Sequence, residues 1–262
     1  MVQNWQKQAD FPIRYEWQLN AGKHNAVNKG VSFARGEIFV IFDSDDACTP
    51  DALATFWQEW HSTPVATKQT YMGLLCTCQD QYGNLVGPMI PTGIKASDLL
   101  TLTYRYKAAG ERWLAIRTEV MREYPFPAIS GLTHIPEGVV WLSMAQRYQV
   151  LLIDKPLRIY FINHNPDQLC SPVRSLSSKY TDGTLLSAKT SLETGISWFF
   201  HAPKAILRYA LEYGLISFVL GRSVVQQWNE ITSLGAKLAW LAMLPFAYFR
   251  YCKSISFLKS DS

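Results

Sequence analysis

Residues 36–51 read Gly-Glu-Ile-Phe-Val-Ile-Phe-Asp-Ser-Asp-Asp-Ala-Cys-Thr-Pro-Asp. The apolar run Ile38–Phe42 has the composition of a strand buried on both faces, and it stops abruptly at Asp43, Asp45 and Asp46. Open α/β sheets bind ligands beyond the carboxyl ends of their strands, which is where this acidic cluster falls. Carboxylates so crowded repel one another unless water solvates them or a divalent cation shares them. Mg²⁺ and Mn²⁺ are hard ions that take oxygen ligands, often one or two carboxylates together with substrate phosphates. Pro50-Asp51 then opens a helix, with proline early in its first turn.

The segment resembles the Asp-x-Asp signature of inverting family 2-type glycosyltransferases of the GT-A fold, in which an apolar strand runs into Asp-Ser-Asp-Asp and Pro-Asp follows. Just upstream, Asn20-Ala-Gly-Lys-His-Asn-Ala-Val-Asn-Lys-Gly30 is similar to that family's Gly-Lys-x-x-Ala-x-Asn-x-Gly helix. Gly22 lets the chain turn sharply into the helix. The resemblance implies that Lys23 sits near a nucleotide diphosphate, at a helix start that already favours anions, and that Asn28 belongs to the donor site. His24 reads as a surface residue.

A third block is Gly110-Glu-Arg-Trp-Leu-Ala-Ile-Arg-Thr118, then Tyr124-Pro-Phe-Pro127, then Ile135-Pro-Glu-Gly-Val-Val-Trp141. It resembles a bacterial subgroup of the same transferases, and the resemblance makes Glu137 the general base. His134 reads as a surface or core histidine. The implied chemistry is single displacement at an anomeric carbon. In that chemistry Asp45 holds Mg²⁺ or Mn²⁺, Asp43 touches the donor ribose or a metal-bound water, and Asp46 stands behind them or on the surface. Acceptors implied are saccharides or lipid-linked saccharides of cell-surface polysaccharide assembly, with a UDP-sugar as donor.

The family's opening strand, helix and second strand have no counterpart before Ile13–Trp17, which looks like its third strand. The expectation is a GT-A domain short of its amino-terminal opening by roughly forty residues, on the length of a typical βαβ unit. Two alternatives stay open. One is a non-catalytic remnant, or a binding partner of a complete transferase. The other is a nucleotidyltransferase, which lacks support because no glycine-rich loop precedes the acidic strand.

Composition fits a soluble or peripheral globular chain: 262 residues, 48% apolar, net charge +4 without a run of like charges. That charge is too small and too spread to point to nucleic acid. Five cysteines and no secretory leader suit a reducing cytoplasm. Cys76 and Cys78 alternate along an expected strand, Met72 to Gln79, and read as core; Cys48 reads as a small filler.

The chain divides into residues 1–165, an incomplete GT-A-like catalytic domain, and 166–262, a helical region. In the first, Asp80–Asn84 reads as a hairpin turn, Ala96–Thr103 as a helix, Pro156–Tyr160 as a strand, and Asn163–Asp167 as a closing turn. In the second, helices are expected over Trp198–Tyr213, Leu215–Trp228 and Leu234–Tyr251. The last has aromatic and basic flanks and an apolar run, broken by Pro245, that falls short of the ~20 residues needed to span a bilayer. It suits a helix lying on the inner face of the cell membrane, or a helical cap on the catalytic domain.

Overall fold

The computed structural model describes residues 2–162 and 181–260. A short helix α1 (Val2–Gln8) precedes α2 (Lys23–Phe33). Then come β1 (Ile38–Val40), β2 (Ala47–Cys48), α3 (Ala52–Ser62), α4 (Val65–Lys68), β3 (Tyr71–Gln79) and β4 (Leu85–Val86). They are followed by β5 (Ala96–Ser97), α5 (Leu99–Tyr104), β6 (Arg112–Arg117), α6 (Thr118–Glu123), α7 (Gly138–Met144) and β7 (Gln149–Ile159). The carboxyl-terminal part is helical: α8 (Thr181–Gly195), α9 (Pro203–Val219), α10 (Val224–Glu230) and α11 (Leu234–Ser260).

The strands form one sheet in the order β1-β6-β3-β7-β2, with β4 added to β3 and β5 to β7. Only β3 and β7 run parallel; the other pairs are antiparallel. β3 is central and almost wholly buried, which its run Met72–Cys78 requires. Alternation along each strand sends side chains to two layers. On one face Met72, Leu75, Ile116 and Val150 pack under Val27 and Val31 of α2, with α6 and α7. On the other, Leu74, Cys76, Cys78 and Trp113 pack under Ala52, Phe56 and Trp60 of α3. Cys76 and Cys78 are core residues, and burial pushes both thiols up to about 12.

The strand expected over Ile38–Phe42 is shorter and less buried than its composition suggests. Its ladder covers Ile38–Val40 and meets only β6, so it is the edge of the sheet and its residues are half-buried. Both faces are nevertheless used: Phe39 and Ile41 turn to one layer, Ile38 and Val40 to the other. The strand expected at Ile13–Trp17 does not form. The alternation is there, but a strand needs a neighbour to take its backbone hydrogen bonds, and this segment has none. It lies along α2, with the Arg14 guanidinium 3.5 Å from the centre of the Phe33 ring and Glu16 3.7 Å from Lys29. Phe11, Tyr15, Trp17 and Leu19 stay exposed.

In place of the helix expected at Ala96–Thr103 stand the two-residue strand β5 and then α5, because Asp98 caps α5 through the Thr101 amide, 2.8 Å away. The turn at Asp80–Asn84 is present, held by Asp80 accepting from the amides of Tyr82 and Asn84, each at 2.8 Å. Pro203 sets the start of α9, and Gly221, at φ 71°, separates it from α10. The turn expected at Asn163–Asp167 and the boundary at 165–166 lie outside the described residues.

The helical part is not a separate lobe. Leu192, Ile206, Ala210, Tyr213 and Trp240 share a core with Leu100 and Tyr104 of α5 and with Ala145 after α7. Among the described residues no helix is long and apolar enough to cross a membrane.

Candidate active site

Beyond β1 the chain reaches Asp43 in a fixed position. The Trp113 indole donates to the Ile41 carbonyl at 2.8 Å, its ring meets the Phe42 ring at a 39° tilt, and the Asp46 amide closes a turn on the Asp43 carbonyl at 3.2 Å. β2 then pairs with β7 in the register Cys48 to Arg158, which brings the Arg158 guanidinium into the acidic loop. Its Nε donates to Asp46 at 2.7 Å, its Nη1 to Glu111 at 3.0 Å, and its Nη2 reaches Asp46 and, at 3.4 Å, Asp43. Three carboxylates from two segments thus share one cation. Burial pushes the Asp46 carboxyl up; Arg158 works against that, and Asp43 and Asp45 add to it. Glu111 is raised by burial in the same way, opposed by Arg158 and reinforced by Glu137, Asp46 and Asp43.

Lys23 opens α2 from the other side. Gly22 precedes it at φ 91°, where a β-carbon would stand 2.1 Å from the Thr133 carbonyl oxygen, so only glycine fits. That close approach joins the start of α2 to the segment leading into α7. The Lys23 ammonium donates to Asp43 at 2.7 Å and pairs with Glu137 at 2.8 Å. Burial disfavours the ammonium, yet the Glu137 and Asp43 carboxylates outweigh it and its pKa is raised. The second Glu137 oxygen accepts from the Trp141 indole at 3.3 Å, one helical turn on. Lys23, Asp43, Glu137, Trp141, Arg112 and Arg158 all line one shallow cleft.

The structure therefore brings Lys23, Asp43 and Glu137 together. It does not bring Asn28 with them. The Asn28 amide donates to the Phe126 carbonyl at 2.9 Å and accepts from the Phe126 amide at 3.0 Å, so it pins the Tyr124–Pro127 turn to α2 instead of facing the cleft. His24 is buried, not on the surface, because α2 turns it under the Gly22–Thr133 contact. Burial lowers the pKa of His24. His134 is lowered too, by burial and by neighbouring His24 and Lys23, against the pull of Glu137.

Asp45 is exposed and makes no hydrogen bond or ion pair among the described residues. Among them, too, no group of three or more His, Cys, Asp or Glu side chains could hold a metal by itself. Asp43 and Asp46 are taken by Lys23 and Arg158. The donor set fits a hard divalent cation only in the mode where one carboxylate and a substrate diphosphate share it; Asp45 is the carboxylate left for that.

Sequence reading missed Arg158, Glu111 and Trp141 as members of the site. Glu111 and Trp141 stand inside the quoted motifs, and a charge opening an apolar strand was the available signal for Glu111. For Arg158 the signal was an arginine inside the otherwise uncharged run Pro156–Tyr160. Its partners follow only from the β2–β7 register.

Residues 1–73 match the family model described as glycosyl transferase family 2. The match holds Lys23 and the acidic loop; Glu137 and Arg158 lie beyond it. No curated protein matches the chain. Over residues 1–73 the chain is thus similar to family 2 glycosyltransferases, and the mixed sheet flanked by helices, with a helical carboxyl-terminal part, fits a GT-A-like domain.

Proposed function

We propose that the cleft moves a sugar from a nucleotide-sugar donor, a UDP-sugar, to a hydroxyl of a saccharide or lipid-linked acceptor in cell-surface polysaccharide synthesis, with inversion. The observation that carries this reading is the Lys23 ammonium standing between Asp43 and Glu137 at the mouth of the sheet. A diphosphate entering the cleft competes with those carboxylates for Lys23. Once Lys23 turns to the phosphate oxygens, Glu137 loses one partner while Trp141 still holds its other oxygen. Glu137 is then placed to take the proton of the acceptor hydroxyl as its oxygen bonds to the anomeric carbon and the carbon–phosphate oxygen bond breaks. Mg²⁺ or Mn²⁺ at Asp45 would neutralise charge on the departing diphosphate. Arg158 keeps the acidic loop from repelling both.

Calorimetric titration of UDP with and without Mn²⁺ tests the reading. Metal-dependent binding is expected in the parent, and a loss of about tenfold or more in Asp45→Ala, the size of one charge-assisted contact. UDP affinity unchanged by Asp45→Ala would remove it as the metal ligand. A folded parent that takes up no UDP would leave the binding-partner alternative standing.

We also propose peripheral contact with an anionic leaflet through α11, on the cytoplasmic side. Ala236, Ala239, Trp240 and Ala247 pack into the helical core, while Leu234, Leu238, Leu241, Tyr248 and Phe249 form an exposed apolar stripe on the opposite face. Lys237, Arg250 and Lys253 lie on the same helix, and such faces settle in membrane interfaces. Deleting α11 would open the core, so the cleaner test is Leu241→Ser with Phe249→Ser. The parent should sediment with anionic vesicles and the variant should stay in solution; a parent that never sediments ends the idea.

A further inference from the structure

At the opposite end of the sheet from the cleft lies a cavity of about 410 Å³, between Gly36 before β1, the end of α3, α4 and the carboxyl end of β6. It shares no lining residue with the cleft. β1 separates the two, because Ile38, at its amino end, pairs with Arg117, and Asp43 lies past its other end. The size is that of a small-molecule site.

Four cations line this cavity, Arg35, Lys68, Arg117 and Arg122, against two carboxylates, Glu37 and Glu119. Their depths differ. The Lys68 and Arg117 side chains are 16% and 17% exposed, whereas their counter-ions Glu37 and Glu119 are 56% and 79% exposed. The cations are therefore the more recessed groups, with Glu119 at the rim and Glu37 turning one oxygen inward to the Trp60 indole at 2.7 Å. Four cations against two carboxylates leave the cavity with an excess of positive charge that an anionic ligand can meet.

The donors are also held in place. Arg117 Nη1 rests against the carbonyls of Lys68, Gln69 and Tyr71 at 3.3, 3.4 and 3.3 Å. Lys68 lies 4.9 Å from the centre of the Trp60 ring and 3.9 Å from Glu37, and Arg122 donates to the Ala34 carbonyl at 2.6 Å. Arg35 is exposed and has no partner among the described residues. Donors fixed beforehand lose little freedom when a ligand arrives. Guanidinium and ammonium groups arranged in this way suit a phosphate group.

We infer that this cavity is a second ligand site, separate from the transfer cleft, for a small phosphorylated molecule whose phosphate sits between Lys68 and Arg117. The uncharged body of the ligand occupies the remaining space beside Val65 and reaches towards Arg35 and Arg122. The same phosphate chemistry could come from a lipid headgroup, but a cavity of about 410 Å³ has the volume for a whole small molecule, which favours a free one.

Calorimetric titration with glucose 6-phosphate is the test, run on the parent, on Lys23→Ala, and on Lys68→Gln with Arg122→Gln. Arg117 is left intact because its carbonyl contacts tie α4 to β3. Binding should persist in Lys23→Ala. It should fall about tenfold or more in the double variant, the equivalent of one charge-assisted hydrogen bond, while that variant keeps the parent's melting temperature and UDP affinity. Lack of heat at millimolar ligand overturns the proposal. So does binding that vanishes in Lys23→Ala but survives in the double variant. Uptake only by phosphatidylglycerol vesicles, with no response to the free phosphate ester, overturns the assignment to a soluble ligand.

Discussion

Glu137→Gln is expected to lower turnover by about 10²- to 10⁴-fold, the range for removing a general base, while UDP affinity stays close to that of the parent. Glutamine keeps the length of the side chain and can still accept from the Trp141 indole, so α7 and the cleft wall should not move. What it loses is the ability to take a proton from the acceptor, and the charge that holds Lys23 at 2.8 Å. With one carboxylate fewer, Lys23 is if anything freer to meet a diphosphate. Release of UDP from a panel of UDP-sugars, with calorimetry of UDP in parallel, separates the two effects. A variant that turns over like the parent would rule Glu137 out as the base.

The second large effect is on stability. Arg158→Met should destabilise the fold by about 3–5 kcal/mol, the usual cost of leaving a buried charge without its partner. The Asp46 and Arg158 side chains are 4% and 11% exposed, and Glu111 depends on the same guanidinium. Methionine fills much of the volume and satisfies none of the carboxylates. Adding Asp46→Asn to Arg158→Met should recover part of the loss, because the charge that lost its partner is then gone, and this non-additivity marks the pair as coupled. Urea unfolding of the parent, both single variants and the double measures it. A loss below about 1 kcal/mol for Arg158→Met, the range of a surface pair, would show that water reaches Asp46.

The same network carries a pH signature. Asp46 and Glu111 are raised above their ordinary values of 3.8 and 4.5, in both cases first by burial. The folded chain therefore holds these protons more tightly than the unfolded chain does. Their contribution to stability falls as pH rises from those ordinary values through the raised ones, and it is regained on acidification. Removing Arg158 takes away the main opposing influence, so the variant's stability should fall more steeply over that range.

Much of the site was legible in the chain. An apolar run ending in Asp43, Asp45 and Asp46, a Gly-Lys helix start before it, and a Pro-Glu entry to a later helix are local patterns. Local patterns are set by backbone sterics and side-chain period, which act between neighbours. They put Lys23 and Glu137 at helix starts and Asp43 beyond a strand, which is where the fold has them.

Tertiary structure decided which of these residues meet. Asn28 carries the right motif position, yet packing of α2 on the Tyr124–Pro127 turn gives its amide to Phe126. Ile13–Trp17 has the alternation of a strand, and no strand forms, because pairing requires a neighbour that periodicity cannot supply. Arg158, 112 residues from Asp46 along the chain, reaches it through the β2–β7 register. The sequence by itself determined the helix starts at Lys23 and Gly138, the apolar run into Asp43 and the chemistry these segments could offer, since those depend on contacts a few residues apart. Which carboxylate faces which cation depends on sheet order and register, which are set by pairings between residues distant in the chain.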